Sequence, residues 1–353
     1  MPKICVIPGE DAAAEAVEAT VDLLDRLGTG ISWSRCDDVS SPGAGSRPIL
    51  SDQARGLIDS ADATLFGATA GPAAPALFYL RWGKETFANV RPTRWTPGVS
   101  SPLARPEGID FVIVRENLED AYLGLEGDLA TLAPLGLVSR TLGRPPQDLG
   151  PGAYALKAIT RAGSERVVRF AFELARRRRE QGGPGRVTAS AKWNMLPKTD
   201  GLFIATAREV ATGYPDIDFD TLIIDDCAHR IVRDPHRFDV LVLPNLYGDI
   251  LSDAAAALTG GLGVAASGCY GSDYAYFESA HGTAPDIAGK GIVNPTATLL
   301  SAVLMLDYLG QDETAARLRR AIDQVYADGR ALTPDQGGAA STGAFCDALL
   351  AAI

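Results

Sequence analysis

FDVLVLPNLYGDILSD, residues 238–253, passes from an apolar run into a helical pattern that continues as AAAALTGGLG. A short apolar run closed by a proline reads as a buried strand, and the change of period after it marks the start of a helix. Asp249 and Asp253 lie four apart and so share one face of that helix. Two uncompensated carboxylates there would repel, so positive charge is expected beside them.

The same alternation extends in both directions. KICVIP (3–8), ATLFGA (63–68), DFVIVRE (110–116), GRVTAS (185–190) and DTLIID (220–225) read as strands. AEAVEATVDLLDRLG (14–28) and TATLLSAVLMLDYLG (296–310) read as helices. Alternating strands and helices indicate an α/β protein with substantial parallel sheet. In SERVVRFAFELARRRRE (164–180), Ser164 is the expected N-cap. Val167, Phe170, Ala171 and Leu174 form the expected apolar stripe, and Arg176 to Arg179 a solvated C-terminal end. LGRPPQDLGPGAY (142–154) reads as a loop. The first strand-helix turn, PGEDAAAEAV, lacks GxGxxG, so an ordinary Rossmann dinucleotide site is not supported.

With 353 residues, 46% of them hydrophobic, the chain has room for two core-bearing domains. A net charge of −11 argues against a nucleic-acid surface, which needs clustered positive charge. MPKICVIPG is too short an apolar segment for a signal peptide, and no apolar stretch reaches membrane-spanning length. The five cysteines are scattered and never form CxxC, the pattern of reduced thiols without a zinc site. The expected location is cytoplasmic, with neither a membrane nor a nucleic acid as partner.

Ligands of open α/β sheets bind outside the carboxyl ends of the strands. There the sequence gathers Arg115 and Glu116, Lys192, Asp225 and Asp226, and Asp249 with Asp253. A hard divalent cation, Mg²⁺ or Mn²⁺, would explain the carboxylates and supply the missing positive charge. The alternative is one aspartate facing the helix dipole and the other solvated.

VIVRENLEDAYLGLEG (112–127), ITRAGSERVVRFAFELAR (159–176), SAKWNMLPKTDGLF (190–203), residues 223–263 and HGTAPDIAGKGIVNP (281–295) together resemble the β-decarboxylating dehydrogenases, the isocitrate and 3-isopropylmalate dehydrogenase family. The resemblance implies a two-subdomain fold made by a discontinuous chain. Residues 1–86 and 260–353 would form a large cofactor-binding subdomain. Residues 87–259 would form a smaller one, with an interlocking dimer segment at about 120–164. It further implies a homodimer with shared active sites that binds a small hydroxy acid, NAD and Mg²⁺ or Mn²⁺.

Position by position, the resemblance makes Arg81, Arg91 and Arg115 the grip on the malate carboxylates, work that suits a guanidinium fork. Tyr122 matches the family's catalytic tyrosine and Lys192 its catalytic lysine, given by the neighbouring subunit. Asp225, also from the neighbour, would join Asp249 and Asp253 on the metal. Lys192 would help to remove the hydroxyl proton and Tyr122 would return a proton after loss of CO₂. Asn194, His281, Gly282, Asp286, Ile287 and Asn294 match cofactor-binding positions. A carboxylate at Asp286 can accept from both ribose hydroxyls and repels a 2′-phosphate, which implies NAD over NADP.

The sequence also departs from the family. IPGEDAAAEAV replaces the usual IPGDGIGPE, and Ala191 and Trp193 flank the lysine. Where isocitrate enzymes carry a serine and an asparagine for the γ-carboxylate, this chain has Pro75 and Leu77, with Phe78 next to them. Leu77 and Phe78 are therefore the expected contacts of the C3 substituent. An isocitrate-like scaffold with an altered specificity segment implies an isocitrate analogue, such as 3-(phosphonomethyl)malate. Ordinary isocitrate and 3-isopropylmalate are the alternatives, and a non-catalytic regulatory subunit is the alternative of another class. Lys84 and Arg94 are the candidates to pair with a charge on the substituent.

Overall fold

The structure, a computed structural model, describes residues 1–43 and 48–353. Its frame is one ten-stranded sheet. The strands run, edge to edge, Asp218–Ile223, Arg186–Ala191, Val240–Leu243, Asp110–Glu116, Ala88–Arg94, Ala266–Tyr270, Ala275–Ser279, Ala63–Phe66, Lys3–Ile7 and Ser32–Arg35. The first four are mutually parallel, as are the last four. Between these wings Ala88–Arg94 and Ala266–Tyr270 run antiparallel to their neighbours. The sheet is thus mixed, and its parallel portions are two separate wings.

Side chains of the strand Val240–Leu243 alternate between two layers. Val240 and Val242 pack with Val112, Val114, Phe172 and Phe203 on one face. Leu241 and Leu243 pack with Phe111, Ile113, Cys227 and Leu251 on the other. Burial on both faces is why the strand reads as a continuous apolar run. A separate core joins the two ends of the chain, with Ile4, Leu65, Phe277, Leu306, Tyr326 and Phe345 in contact through one cluster.

The helix expected from Ser164 begins earlier and spans Arg161–Glu180. Thr160 caps it, its hydroxyl accepting the Gly163 N–H at 3.0 Å, while the Ser164 hydroxyl donates back to the Thr160 carbonyl. The most buried stripe is Val167, Val168, Ala171, Phe172 and Ala175, with Phe170 and Leu174 at its margin. The arginine run is pinned rather than simply solvated. Arg176 reaches Asp216 at 2.6 Å and Arg178 reaches the buried Asp239 at 2.6 Å.

Residues 121–158 leave the sheet as an arm of 3-10 turns and one short antiparallel ribbon, Glu126–Asp128 with Ala153–Ala155. Leu123, Leu125, Leu135, Leu137 and Val138 of this arm are exposed. No helix among the described residues is long and apolar enough to cross a membrane. All five cysteines are free and buried.

Candidate active site

Proline 244 ends the strand Val240–Leu243, and the helix Asn245–Leu258 starts on the next residue. This brings Asn245, Asp249 and Asp253 over the carboxyl end of the neighbouring strand Asp110–Glu116, which closes with Arg115 and Glu116. The approach is so close that a Cβ on Gly248 would stand 2.6 Å from that of Arg115, so glycine alone fits there. Arg115 is 2% exposed. Its Nε donates to Asn245 Oδ1 at 2.8 Å and its Nη1 donates to Asp249.

The neighbouring strand adds Arg91, whose Nε donates to Asn89 at 2.9 Å and whose Nη1 lies 3.4 Å from Asp253. Arg81, on the π-turn Tyr79–Gly83, donates to the Tyr276 hydroxyl at 3.2 Å and lies 4.0 Å from Glu278. Tyr122 donates its hydroxyl to Asp249 Oδ2 at 2.8 Å, with its ring 5.5 Å from the Arg115 guanidinium. Arg81, Arg91, Arg115, Tyr122, Asp249 and Asp253 therefore form one polar cluster. The positive charge expected beside the two aspartates is present as Arg115 and Arg91.

Charge is crowded here. Burial, followed by the nearby Arg81 and Arg91, pushes the Arg115 guanidinium down from its ordinary value against the pull of Asp249. Burial raises the Asp253 carboxyl in spite of Arg91, and burial with the Asp249 hydrogen bond raises the Tyr122 phenol.

Lys192 and Asp225 form a second group. Lys192 follows the strand Arg186–Ala191, and its Nζ donates to Asp225 Oδ1 at 2.7 Å, which holds that carboxyl below the usual range. Asp226 pairs instead with Arg230 one helical turn on, at 2.8 Å, which separates the roles of the two adjacent aspartates. No three His, Cys, Asp or Glu side chains among the described residues gather as a metal cluster within one chain. The metal-ligand candidates divide into Asp249 with Asp253, and Asp225.

The loop 281–295 holds the cofactor candidates. His281 Nδ1 donates to the Gly282 carbonyl at 2.8 Å, and burial lowers its pKa, leaving a neutral ring. Its Nε2 is buried without a partner among the described residues. Gly282 and Asp286 are exposed, Asp286 on the turn Pro285–Ile287, and Ile287 packs on Ala12, Ala16 and Val293. Asn294 is turned into the fold. Its amide donates to Tyr326 at 3.1 Å and Asp335 at 2.9 Å, so only its backbone is left for a ligand. Asn194 is exposed near Lys192. Asp11, in the altered first turn, adopts φ 53°, keeping a left-handed turn without glycine there.

Pro75, Leu77 and Phe78 lie on the short helix Ala74–Phe78 that leads into the π-turn of Arg81. Phe78 is 58% exposed and packs on Trp82 with ring centroids 5.6 Å apart. Trp82, which local spacing gave no reason to single out, is anchored by donation to the Leu118 carbonyl at 3.1 Å. Lys84 and Arg94 are both engaged elsewhere. Lys84 is 2.7 Å from Asp59, and Arg94 holds Asp323 bidentately at 2.9 and 2.6 Å. Asn245 likewise escaped notice, although its position directly after the strand-ending proline is a visible signal.

Known proteins match this arrangement over its whole length. A family model described as isocitrate/isopropylmalate dehydrogenase matches residues 3–352. The chain is 41% identical over 342 residues to the 3-isopropylmalate/3-methylmalate dehydrogenase of Methanocaldococcus jannaschii, covering 97% of this chain and 96% of that protein. It is 38% identical over 349 residues to the alpha subunit of the mitochondrial NAD isocitrate dehydrogenase of Homo sapiens, covering 98% and 88%. The crystal structure of isocitrate dehydrogenase from Methylococcus capsulatus superposes with a TM-score of 0.84 at 36% identity, covering 100% and 99%. The chain belongs to the isocitrate/isopropylmalate dehydrogenase family, decarboxylating dehydrogenases of hydroxy acids.

Proposed function

We propose that the protein is an active enzyme that oxidatively decarboxylates a 3-substituted malate, using NAD and Mg²⁺ or Mn²⁺, in a homodimer with shared sites. The convergence of Arg91, Arg115 and Tyr122 on Asp249 and Asp253, with the Arg81 charge close enough to act on Arg115, carries this reading. It equally disfavours a catalytically silent subunit, since the full set of charged and phenolic groups is present.

Asp249 and Asp253 are hard oxygen donors that suit Mg²⁺ or Mn²⁺, but among the described residues of one chain no third such ligand joins them, and Asp225 of the partner subunit would complete the set. A bound cation would supply Lewis acidity to the substrate hydroxyl and carboxylate. The three arginines would hold the malate carboxylates, and Lys192 of the partner subunit would take the hydroxyl proton. Tyr122 would deliver a proton to the carbon that has lost CO₂. For the cofactor, the unpartnered His281 Nε2 is an acceptor fit for an adenine N–H, and the exposed Asp286 favours free ribose hydroxyls. We read residues 1–86 with 260–353 and 87–259 as the two subdomains, in a cytoplasmic enzyme.

For the C3 group we favour an isocitrate analogue over isocitrate itself. Neither Pro75 nor Leu77 donates a side-chain hydrogen bond, and a desolvated carboxylate without partners costs several kcal/mol. A phosphonate such as 3-(phosphonomethyl)malate would need Lys84 to exchange Asp59 for the substrate. The Phe78–Trp82 pair favours a second reading, an apolar substituent as in 3-isopropylmalate. Purified protein with Mn²⁺, NAD or NADP, and these three malates, followed by absorbance of the reduced nicotinamide, tests the proposal. Isocitrate turned over at kcat/KM of roughly 10⁴ M⁻¹s⁻¹ or above would overturn the pocket assignment. Equal kcat/KM for NAD and NADP would overturn that of Asp286.

A further inference from the structure

Lys157 has so far been assigned no role of its own; it lies at the end of the arm, shortly before the helix Arg161–Glu180. Its ammonium is 2.7 Å from Asp200 Oδ1 and 3.3 Å from Asp120 Oδ1, and 4.3 Å above the Tyr247 ring. Asp200 is 0% exposed and Asp120 1% exposed. Each carboxylate spends its other oxygen on a backbone N–H of the active-site framework. Asp200 Oδ2 accepts from the N–H of Lys192 at 2.7 Å. Asp120 Oδ2 accepts from Leu246, in the first turn of the helix that carries Asp249 and Asp253, at 3.0 Å.

Asp120 also governs the turn that presents Tyr122. It adopts φ 74°, strained for a residue with a side chain, and its Oδ1 accepts the Ala121 N–H at 2.8 Å. Charge rather than aligned hydrogen bonds holds the buried ammonium between the two carboxylates, and separating either pair would leave a buried charge uncompensated.

We propose that Lys157 is a positioning residue that fixes the Tyr122–Asp249 group and the Lys192 turn of one chain relative to each other. The proposal rests on the shared-site reading for its consequence: these two groups serve different active sites of the dimer, so a single half-buried lysine sets the geometry of both. Lys157 does not touch the groups assigned to the reaction; through Asp120 and Asp200 it reaches the backbone that carries them.

The test uses the intact dimer. Lys157→Met should lower kcat about 10- to 100-fold, the cost of displacing reacting groups by about an ångström, with KM for malate substrate and NAD within about twofold of the parent. An unchanged kcat overturns the proposal. Lys157→Met combined with Asp200→Asn restores the net charge that these groups carry in the parent and keeps an acceptor for the Lys192 N–H, guarding against a variant that fails to fold. Recovery of full kcat in that double variant also overturns the proposal, since Lys157 would then only neutralise charge. Mixed dimers of Tyr122→Phe chains with Lys192→Met chains separate the two levels. One site in such a dimer keeps both groups, and its activity should fall when Lys157→Met is added to either chain. If the parent mixed dimer shows no restored activity, the shared-site reading fails, and the kcat of the homodimeric Lys157 variants still decides the positioning role.

Discussion

Asp249 serves two groups at once, taking a hydrogen bond from Tyr122 on one oxygen and an ion pair from the buried Arg115 on the other. Asp249→Asn keeps an acceptor oxygen but removes the charge, and Asn245 still holds Arg115 Nε. We expect kcat/KM to fall by about 100-fold or more, as for other charge-stabilising groups, with the far-UV circular dichroism unchanged; full turnover in excess chelator would refute a metal at this residue. Glu116, beside Arg115, is titrated by its surroundings. It accepts backbone N–H groups from Leu118 and Glu119 at 2.9 and 2.8 Å, which favour the charged form. Burial outweighs them and raises its pKa from 4.5 to about 7. A folded value above the unfolded one gives stability that is full below about 4.5 and is lost as pH rises through about 7. Glu116→Gln abolishes that titration, so the gap in unfolding free energy between wild type and variant should shift against the wild type across this window. A pH-independent gap would exclude the effect. Arg115, Lys192 and Asp225 were legible because they stand at or just past strand ends, whereas the choice between Asp225 and Asp226 was not. It depends on Lys192 and Arg230, which only the fold distributes between them.

Among elements, the strands were the most readable, because period-2 burial on two apolar layers leaves an uninterrupted run such as VLVL. The start of the helix Arg161–Glu180 was misread for a physical reason. TRAGS offers two hydroxyl caps, and Gly163 looks like a breaker, yet Glu119 accepts the Thr160 N–H at 2.8 Å and fixes the earlier one. That contact spans more than forty residues of sequence and has no local signature. Thr160→Ala should therefore destabilise by about 1 kcal/mol in urea unfolding, while Ser164→Ala, which removes only a hydroxyl bonded back to the helix, should cost less. The reverse order would restore Ser164 as the cap. The π-turn Tyr79–Gly83 is a further element that sequence does not announce. It carries Arg81 and Trp82 on one widened turn of backbone, a geometry that recurs at functional sites. The two cations proposed for the substituent charge were legible as charges but not as partners, since Asp59 and Asp323 lie far along the chain.

At the scale of the whole molecule, the two parallel wings meet across antiparallel strands, and the polar cluster sits where the strands Ala88–Arg94 and Asp110–Glu116 join the wings. Lys192 and Asp225 follow the outer two strands of one wing, paired with each other rather than with that cluster. On the proposed shared-site reading a single chain would carry two partial sites, and the arm 121–158 offers a way to complete them. Its exposed leucines and valine form apolar surface that water does not favour, on a segment with little core of its own. Burial of that surface against a second copy would offset its exposure, and would bring Lys192 and Asp225 of the partner subunit to Tyr122 and Asp249. The protein should therefore sediment as a dimer at micromolar concentration. Leu135→Asp with Leu137→Asp, both on the exposed arm, should shift it toward monomer and lower activity in parallel, with activity rising again as protein concentration is increased. A monomer that retains full turnover would refute the shared site, because every catalytic group would then have to meet within one chain.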